Sequence, residues 1–540
     1  MSYMTQSSSS LDVLPTELII RVLGELDALS LTTCKSVCKI FRDIITETPR
    51  LIYDIGLAIA EREDGLSCSL STMEKLELLR NQQARWAKLE WSSQTRYPMK
   101  NAGLWELFGN VLAQNNPDGS FVFVQLPSVH RNIPEREWKV KPTTPRFVRD
   151  FGMDPSQDLL VLIETPRRSA GRMDRYHCIY VRSMSTATKH PLATESGCIK
   201  HLRHFFDPDT SYSIQISLDL LAIFFHTASD LSANEFVIWD WKTGQTKLHV
   251  VGNELGSFCL LSDRYVLLSL LTNLPDGRDH AQLLIVDFEQ EDHYRQSYLN
   301  IAHGFKLSLP IFHQTVEIRS FTLRSDPPSS WTPQSDLIVP FHIAQDARVF
   351  VASIWVHRDT LRHLALLIPL RTLLRHKDLS GPISTKESTL AWEAWGPQGS
   401  RMTEIYTRNP SFEIWACNVY GTKFVFPECS ARSNRTYTLQ VFDFNQKALR
   451  NAILQGQEVS DVDVLNMDSL ECDSSLCITA PSIFTAGDIF LEEITTTLPF
   501  RWIAKMMPSL QPTSSLMCSE DSIIVVDFSE GEGSYRVFSF

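Results

Sequence analysis

The sequence predicts a multidomain fold in which a small N-terminal helical unit precedes a long all-β domain. Three observations predict it. Apolar residues recur at helical spacing as far as Trp91, and from about Leu104 short β-rich runs separated by Gly, Pro, Asp and Ser take over. Within those runs one strand motif recurs four times. At 540 residues the chain exceeds what one compact core serves, and 43% hydrophobic with 21% charged residues is an ordinary globular composition.

In order, Leu14, Leu18, Ile19, Val22, Leu23 and Leu26 form the i, i+4, i+8 stripe of an amphipathic helix. It starts at or next to Pro15, whose missing N–H costs nothing in a first turn, and Glu17 follows at the positive end of the helix dipole. Gly24 weakens this helix without stopping it, and Asp27 or Ser30 can cap the next. There Leu31, Cys34, Val37, Cys38, Phe41, Ile44 and Ile45 line one face up to Thr48-Pro49. Ile55–Glu61 and Ser71–Trp91 are further predicted helices, the second with Ser71 and Glu74 at capping-box spacing, and Asp64 to Ser67 reads as a turn between them. A helical unit of about 40 residues buries little and gains stability from a partner.

Leu14-Pro15, Glu17-Leu18-Ile19, Leu26-Asp27, Leu31, Val37-Cys38, Phe41-Arg42 and Pro49-Arg50-Leu51 resemble, in order and spacing, the F-box. Phe41 stands where many members have Trp, and Arg50-Leu51-Ile52 lacks a terminal Trp. The run from Leu14 to Trp91 also resembles a large group of fungal F-box proteins. The resemblance implies a module that docks on a Skp-type adaptor and so joins a cullin–RING ubiquitin ligase. It implies adaptor contacts from Leu14, Pro15, Glu17, Leu18, Val22, Leu26, Leu31, Val37, Cys38 and Phe41, without separating those that face the adaptor from those in the module's own core.

In the β-rich region the predicted strands include Leu107–Ala113, Phe121–Leu126, Leu159–Glu164 and Ile179–Arg182. The recurring motif is an apolar strand closing on Asp plus an aromatic: Phe236–Trp241, Leu283–Phe288, Leu439–Phe444 and Ile523–Phe528. Its aspartates, Asp240, Asp287, Asp443 and Asp527, lie 47, 156 and 84 residues apart. At about 40 to 45 residues per blade these gaps read as one, three or four, and two blades. A weaker element, a polar turn feeding an apolar strand, begins at Asp158, Asp219 and Asp263. The pattern resembles degenerate WD-repeat β-propellers, which implies six to eight blades, with seven the best single value, in preference to an array of β-sandwiches. The last strand, Tyr535–Phe540, can close the ring against an early one, Phe121–Leu126 being the candidate. Insertions are expected at Pro327–Pro333 and at Leu361–Asp378, the latter as a helix on the rim. The chain thus divides into a disordered tail at 1–10, an F-box at 11–52, a helical linker at 53–95 and a propeller-like domain at 96–540.

Charge and cysteine usage exclude several roles. Sixty-three acidic against 51 basic residues give a formal charge of −12, which disfavours nucleic-acid and anionic-membrane partners. The basic residues from Arg131 to Arg149 are interleaved with Glu and Pro and read as solvated loop and strand ends. Apolar runs fall far short of the ~20 residues that span a bilayer, and the polar N-terminus has no signal-peptide pattern. Eleven cysteines without a CxxC pair suit a reducing compartment, cytosol or nucleus. There the sequon at Asn434 would not meet the glycosylation machinery.

No GxSxG, GxxxxGK[ST], GxGxxG or HExxH pattern occurs. Cys198, His201 and His204 have a suggestive spacing, but on a strand Cys198 and His201 point to opposite faces, and a fourth ligand is missing. His357 and His363 read as solvated rim residues, Cys34 and Cys38 as packing, the repeated aspartates as turn fixers, and Trp392 and Trp395 as buried blade aromatics. No catalytic, cofactor or metal residues are expected. The function expected is a substrate receptor whose propeller binds a protein of unknown identity. The alternatives are an adaptor-bound scaffold without substrate turnover and a propeller hydrolase, which would need clustered carboxylates or a nucleophile with a base in the central channel.

Overall fold

The computed structural model describes residues 14–540 except 66–68, 100–102, 146, 165, 167, 170–171, 174–175, 204–209, 228–232, 335–336, 384–387, 406–416, 430–436, 461–473, 508, 512–513 and 530–531. The predicted tail at 1–10 and the sequon therefore lie outside the described residues.

Four helices form the N-terminal unit: α1 (Thr16–Leu23), α2 (Ala28–Val37), α3 (Lys39–Glu47) and α4 (Pro49–Ala60). Pro15 is the N-cap of α1. Gly24 does end this helix, contrary to the sequence reading, because a tight turn through Glu25 and Leu26 delivers Asp27 to cap α2. The Asp27 carboxylate accepts from the Ser30 N–H at 2.7 Å. The single second helix expected from periodicity is two helices. Cys38 is extended (φ −152°, ψ 166°), and its Sγ accepts from the Phe41 N–H at 3.4 Å, capping α3. Pro49 sits in the first turn of α4 and starts a helix rather than only ending one.

After α4 the chain forms a short strand, Arg62–Asp64, where a turn was expected at Asp64. It pairs antiparallel with Phe341–Ile343, Arg62 opposite Ile343. At Gly65 a Cβ would stand 1.8 Å from the Val339 carbonyl oxygen, so only glycine admits this approach. Helix α5 (Thr72–Lys88) carries the predicted capping box: the Ser71 N–H donates to Glu74 Oε2 at 2.7 Å, and Ser71 Oγ accepts from the Glu74 N–H. Trp86 near its end is buried and stacks on Phe540 with centroids 4.0 Å apart. Truncating this ring removes a large buried contact that ties α5 to the C-terminal strand. Trp86→Ala is expected to cost about 3–5 kcal/mol of stability in chemical denaturation.

The rest is a seven-bladed β-propeller. The innermost strands of blades 1 to 7 are Trp105–Phe108, Asp150–Asp154, Ser211–Ser217, Leu255–Leu260, Glu317–Arg324, Val419–Tyr420 and Ser515–Cys518. Each leads outward through antiparallel neighbours, and facing blades bury apolar layers such as Leu221, Ile223, Val237, Trp239 and Trp241 against Val161, Ile163 and Ile179. The ring closes differently from the expectation. The C-terminal strand Glu532–Ser539 pairs with Ser93–Pro98, Ser93 opposite Ser539, and not with Phe121–Leu126, whose strand Phe121–Gln125 is third in blade 1. Ser93–Pro98 thereby becomes the outer strand of blade 7.

Other strand readings shift for local reasons. Leu107–Ala113 is a hairpin, not one strand, turning at Gly109 and Asn110, both at positive φ (55° and 64°). Leu361–Pro369, expected as a rim helix, is the third strand of blade 5. It is buried on both faces, so it lacks the alternation that marks a strand, and only Leu370–Leu374 (α6) is helical there. Trp392 and Trp395 are buried as expected, but on helix α7 (Trp392–Gly399). Helix α8 (Gln446–Leu454) lies between the third and fourth strands of blade 6.

Asp240, Asp287 and Asp443 end the third strands of blades 3, 4 and 6, whereas Asp527 is on the second strand of blade 7. The 156-residue gap therefore spans two blades and the 84-residue gap one, because long connections lengthen blades 5 and 6. The turn role holds for Asp240, which accepts from the Lys242 and Thr243 N–H groups at 2.9 Å, and for Asp443 with the Asn445 N–H. Asp287 and Asp527 instead pair with Arg264 and Arg536.

Candidate functional sites: the helical face, its anchorage and the propeller channel

Burial sorts the ten candidate adaptor residues. The core of the helical unit is Ile19, Leu23, Leu31, Ile45 and Leu51, with Leu26, Phe41 and Ile44 packed at its edge. Leu31 is fully buried and cannot touch a partner; Leu26, Cys38 and Phe41 are half-buried. Leu14, Pro15, Glu17, Leu18, Val22 and Val37 are exposed. Leu14, Leu18 and Val22, at 39%, 47% and 50% exposure, share one face of α1 and its lead-in. Leu29 and Ile40 are also exposed apolar residues; both lie off the apolar stripe that the sequence reading follows.

The unit is anchored to the propeller by buried charge. Arg131, in the loop between the third and fourth strands of blade 1, pairs with Glu520 at 2.9 Å and Asp521 at 2.7 Å, and its Nε donates to the Phe341 carbonyl at 3.1 Å. Arg62 pairs with the other Glu520 oxygen, and Gln82 of α5 donates to Asp521 at 2.9 Å. All five side chains are buried. Arg131 is thus no solvated loop residue; its partners lie 390 positions away, beyond any local pattern. The Tyr53 hydroxyl of α4 donates to the Pro340 carbonyl at 3.0 Å, and Asn445 donates to the Ile59 carbonyl at 2.9 Å, extending the same interface.

The seven innermost strands enclose a channel with a cavity of about 410 Å³. Glu106 of blade 1, Asp150 of blade 2 and Asp326, just after the inner strand of blade 5, line it together with Arg324. Each carboxyl keeps partial contact with the channel, but the surrounding protein desolvates it. Burial pushes Glu106 up to about 8, with Asp150 and Asp326 adding repulsion, while the Leu107 N–H and Arg324 oppose the shift. Burial likewise pushes Asp150 and Asp326 up to about 7. Raised carboxyls leave stability intact at low pH and lose it as pH climbs from the ordinary carboxylate range through 7 to 8. Replacing Glu106 by Gln and Asp150 by Asn is therefore expected to raise the melting temperature at pH 8 and leave it nearly unchanged at pH 4.

The 325–348 connection of blade 5 crosses one end of this channel. Ser330 hydrogen-bonds Ser217 of blade 3 at 2.6 Å, Gln334 donates to the Pro155 carbonyl beside blade 2 at 2.7 Å, and Arg348 donates to the Leu260 and Leu261 carbonyls of blade 4. The Asp326 carbonyl accepts from the Gly421 N–H of blade 6 at 2.7 Å. The same connection carries Phe341–Ile343, the strand paired with Arg62–Asp64, so the closed end faces the helical unit.

The remaining candidates resolve into packing. His201 is buried away from Cys198, and His204 lies outside the described residues. His201 instead approaches Glu235 and His249, whose ligand atoms lie within 4.8 Å of one another. Arg203 holds the Glu235 carboxylate at 2.9 Å and Arg295 stands at 3.5 Å, so the carboxylate is already neutralised and the arrangement disfavours a cation. His363 is buried and stacked on Trp355 at 4.6 Å, and burial pushes its imidazole down to about 3, correcting the solvated reading. Cys34 packs at the edge of the helical core.

A four-helix unit with an exposed apolar ridge is thus joined to a seven-bladed propeller. Residues 11–57 match the family model described as F-box-like, so the chain carries an F-box-like domain followed by its propeller. Among solved structures, the chain is similar to Drosophila Semaphorin 1a, extracellular domains 1-2, at 9% identity over 81% of this chain and 86% of that one, with a TM-score of 0.32. It is also similar to the tricorn protease, at 11% identity over 83% of this chain and 36% of that one, with a TM-score of 0.29. No curated protein matches.

Proposed function

We propose that this chain is the substrate-recognition subunit of a Skp–cullin–F-box type ubiquitin ligase, its F-box-like domain binding the Skp-type adaptor and its propeller binding a protein substrate in the cytosol or nucleus. The observation that carries the reading is the exposed ridge of Leu14, Leu18 and Val22 on an F-box-like domain whose own core is complete without them. An apolar ridge of this kind is what helix-on-helix docking buries. Pro15, Glu17 and Val37 flank it, and Leu26, Cys38 and Phe41 contribute at its edge.

The chain contributes proximity and no bond-making step. The channel does offer carboxyls, as a hydrolase would need, but burial holds its Cys417 thiol protonated well above the usual thiol range, and no histidine is among the described residues that line it. No described helix is long and apolar enough to cross a membrane, in keeping with a role on protein partners.

The test compares partner proteomes of cells carrying the intact chain and the Leu14→Ala, Leu18→Ala, Val22→Ala variant. Loss of adaptor with accumulation of a propeller-bound partner is expected. Loss of adaptor with unchanged partner levels would favour the scaffold reading, and undiminished adaptor capture would overturn the assignment.

A further inference from the structure

The propeller channel is a built polar site and not only an axial void. Ser325 and Ser515 line it, each is about nine-tenths buried, and the hydroxyl of each has no hydrogen-bond partner among the described residues. A buried hydroxyl left unsatisfied costs free energy that a polar ligand recovers. Among the described residues, three carboxyls from three blades line the same channel with the guanidinium of Arg324. Arg348 faces the Asp326 side of the cluster, its two terminal nitrogens donating to the Leu260 and Leu261 carbonyls. When ionised, the three carboxyls outnumber the guanidinium groups of Arg324 and Arg348 by three to two. Leu104, Trp105 and Ile214 add an apolar wall suited to a methylene stem.

The donor set selects the shape of the cation. Among the described residues the channel carboxyls do not converge on a common point as the ligands of one metal ion would. A ligand meeting separated carboxyls and hydroxyls must carry several N–H donors on an extended body. Guanidinium and ammonium groups on aliphatic stems do this. With one end of the channel crossed by the 325–348 connection, entry is from the face remote from the F-box-like domain, where Gly103 is exposed.

We propose that the channel receives one basic side chain, an arginine or lysine, presented by an extended segment of the protein that the propeller binds. The proposal rests on the substrate-receptor reading and deepens it. Arrival of the cation favours the ionised carboxyls, so Glu106, Asp150 and Asp326 lose protons on binding near neutral pH, with Arg324, Arg348, Arg149, Cys259, Cys417, Tyr420 and Cys518 as the other titratable groups facing them.

The experiment is isothermal titration of the full chain at pH 7 in two buffers of different ionisation enthalpy. The probes are a glycine pentapeptide with central arginine, its lysine and citrulline counterparts, and free spermidine. Saturable binding of the arginine or lysine peptide with proton release is expected, with no binding of the citrulline peptide. The E106Q/D150N variant should bind about tenfold or more weakly. Its thermal unfolding confirms that it folds, and D326N provides a second, independent variant. Equal binding of the citrulline peptide, binding of spermidine alone, or affinity unchanged in both variants would each overturn the proposal. Adaptor capture by the F-box-like domain does not pass through the channel, so failure here is distinguishable from failure of the receptor reading.

Discussion

Adaptor capture by the Leu14→Ala, Leu18→Ala, Val22→Ala chain is expected to fall by two to three orders of magnitude, from loss of about 3–4 kcal/mol of buried apolar contact. Each residue is two-fifths to half exposed, so truncation removes docking surface without opening the core formed by Ile19, Leu23, Leu31, Ile45 and Leu51. The measurement is the dissociation constant for purified Skp-type adaptor, with circular dichroism as the folding check. Leu31→Ala is the contrast. It is fully buried, so its truncation is expected to cost about 2–5 kcal/mol of module stability and to weaken capture only by unfolding. If the triple variant binds as tightly as the parent, the ridge is not the docking surface.

The second large effect is expected at Arg131. Replacing it with Met removes a buried guanidinium from between Glu520 and Asp521 and leaves Arg62 to balance two carboxylates. An uncompensated buried charge costs about 3–5 kcal/mol. The expected result is a correspondingly lower free energy of unfolding and faster proteolysis between α4 and α5, because Arg62 and Gln82 hold that segment through the same two acids. Adding Asp521→Asn to Arg131→Met, which leaves Arg62 paired one to one with Glu520, should recover part of the loss. A single variant as stable as the parent would show that Arg62 alone satisfies the acids.

What was legible in the sequence was what local chemistry controls. The i, i+4 stripe located α1, the Ser71 and Glu74 pair located the start of α5, and the repeated strand motif pointed to a seven-bladed ring. The break at Cys38 was not legible, since apolar spacing continues across it and only a side-chain cap interrupts the helix. Leu361–Pro369 was misread because a strand buried on both faces shows no alternation. The channel site was invisible for a different reason. Glu106, Asp150 and Asp326 are unremarkable in their own segments, and only ring closure brings three blades around one axis. Arg131 looked like a solvated loop residue because its partners come from the far end of the chain.

The pairing of Ser93–Pro98 with Glu532–Ser539 also imposes an order on biosynthesis. Contacts separated by 447 positions, such as that between Ser92 and Ser539, cannot form until the final strand leaves the ribosome. The F-box-like helices emerge first and carry nearly all of their own core, while α5 and the Arg62 strand wait for Phe540, Glu520 and Phe341 to arrive. A nascent chain can therefore display the docking ridge before its reader exists. Firm seating of one on the other is then a late event that follows emergence of Glu532–Phe540, and a chain truncated before Glu532 would present the ridge on an unclosed ring.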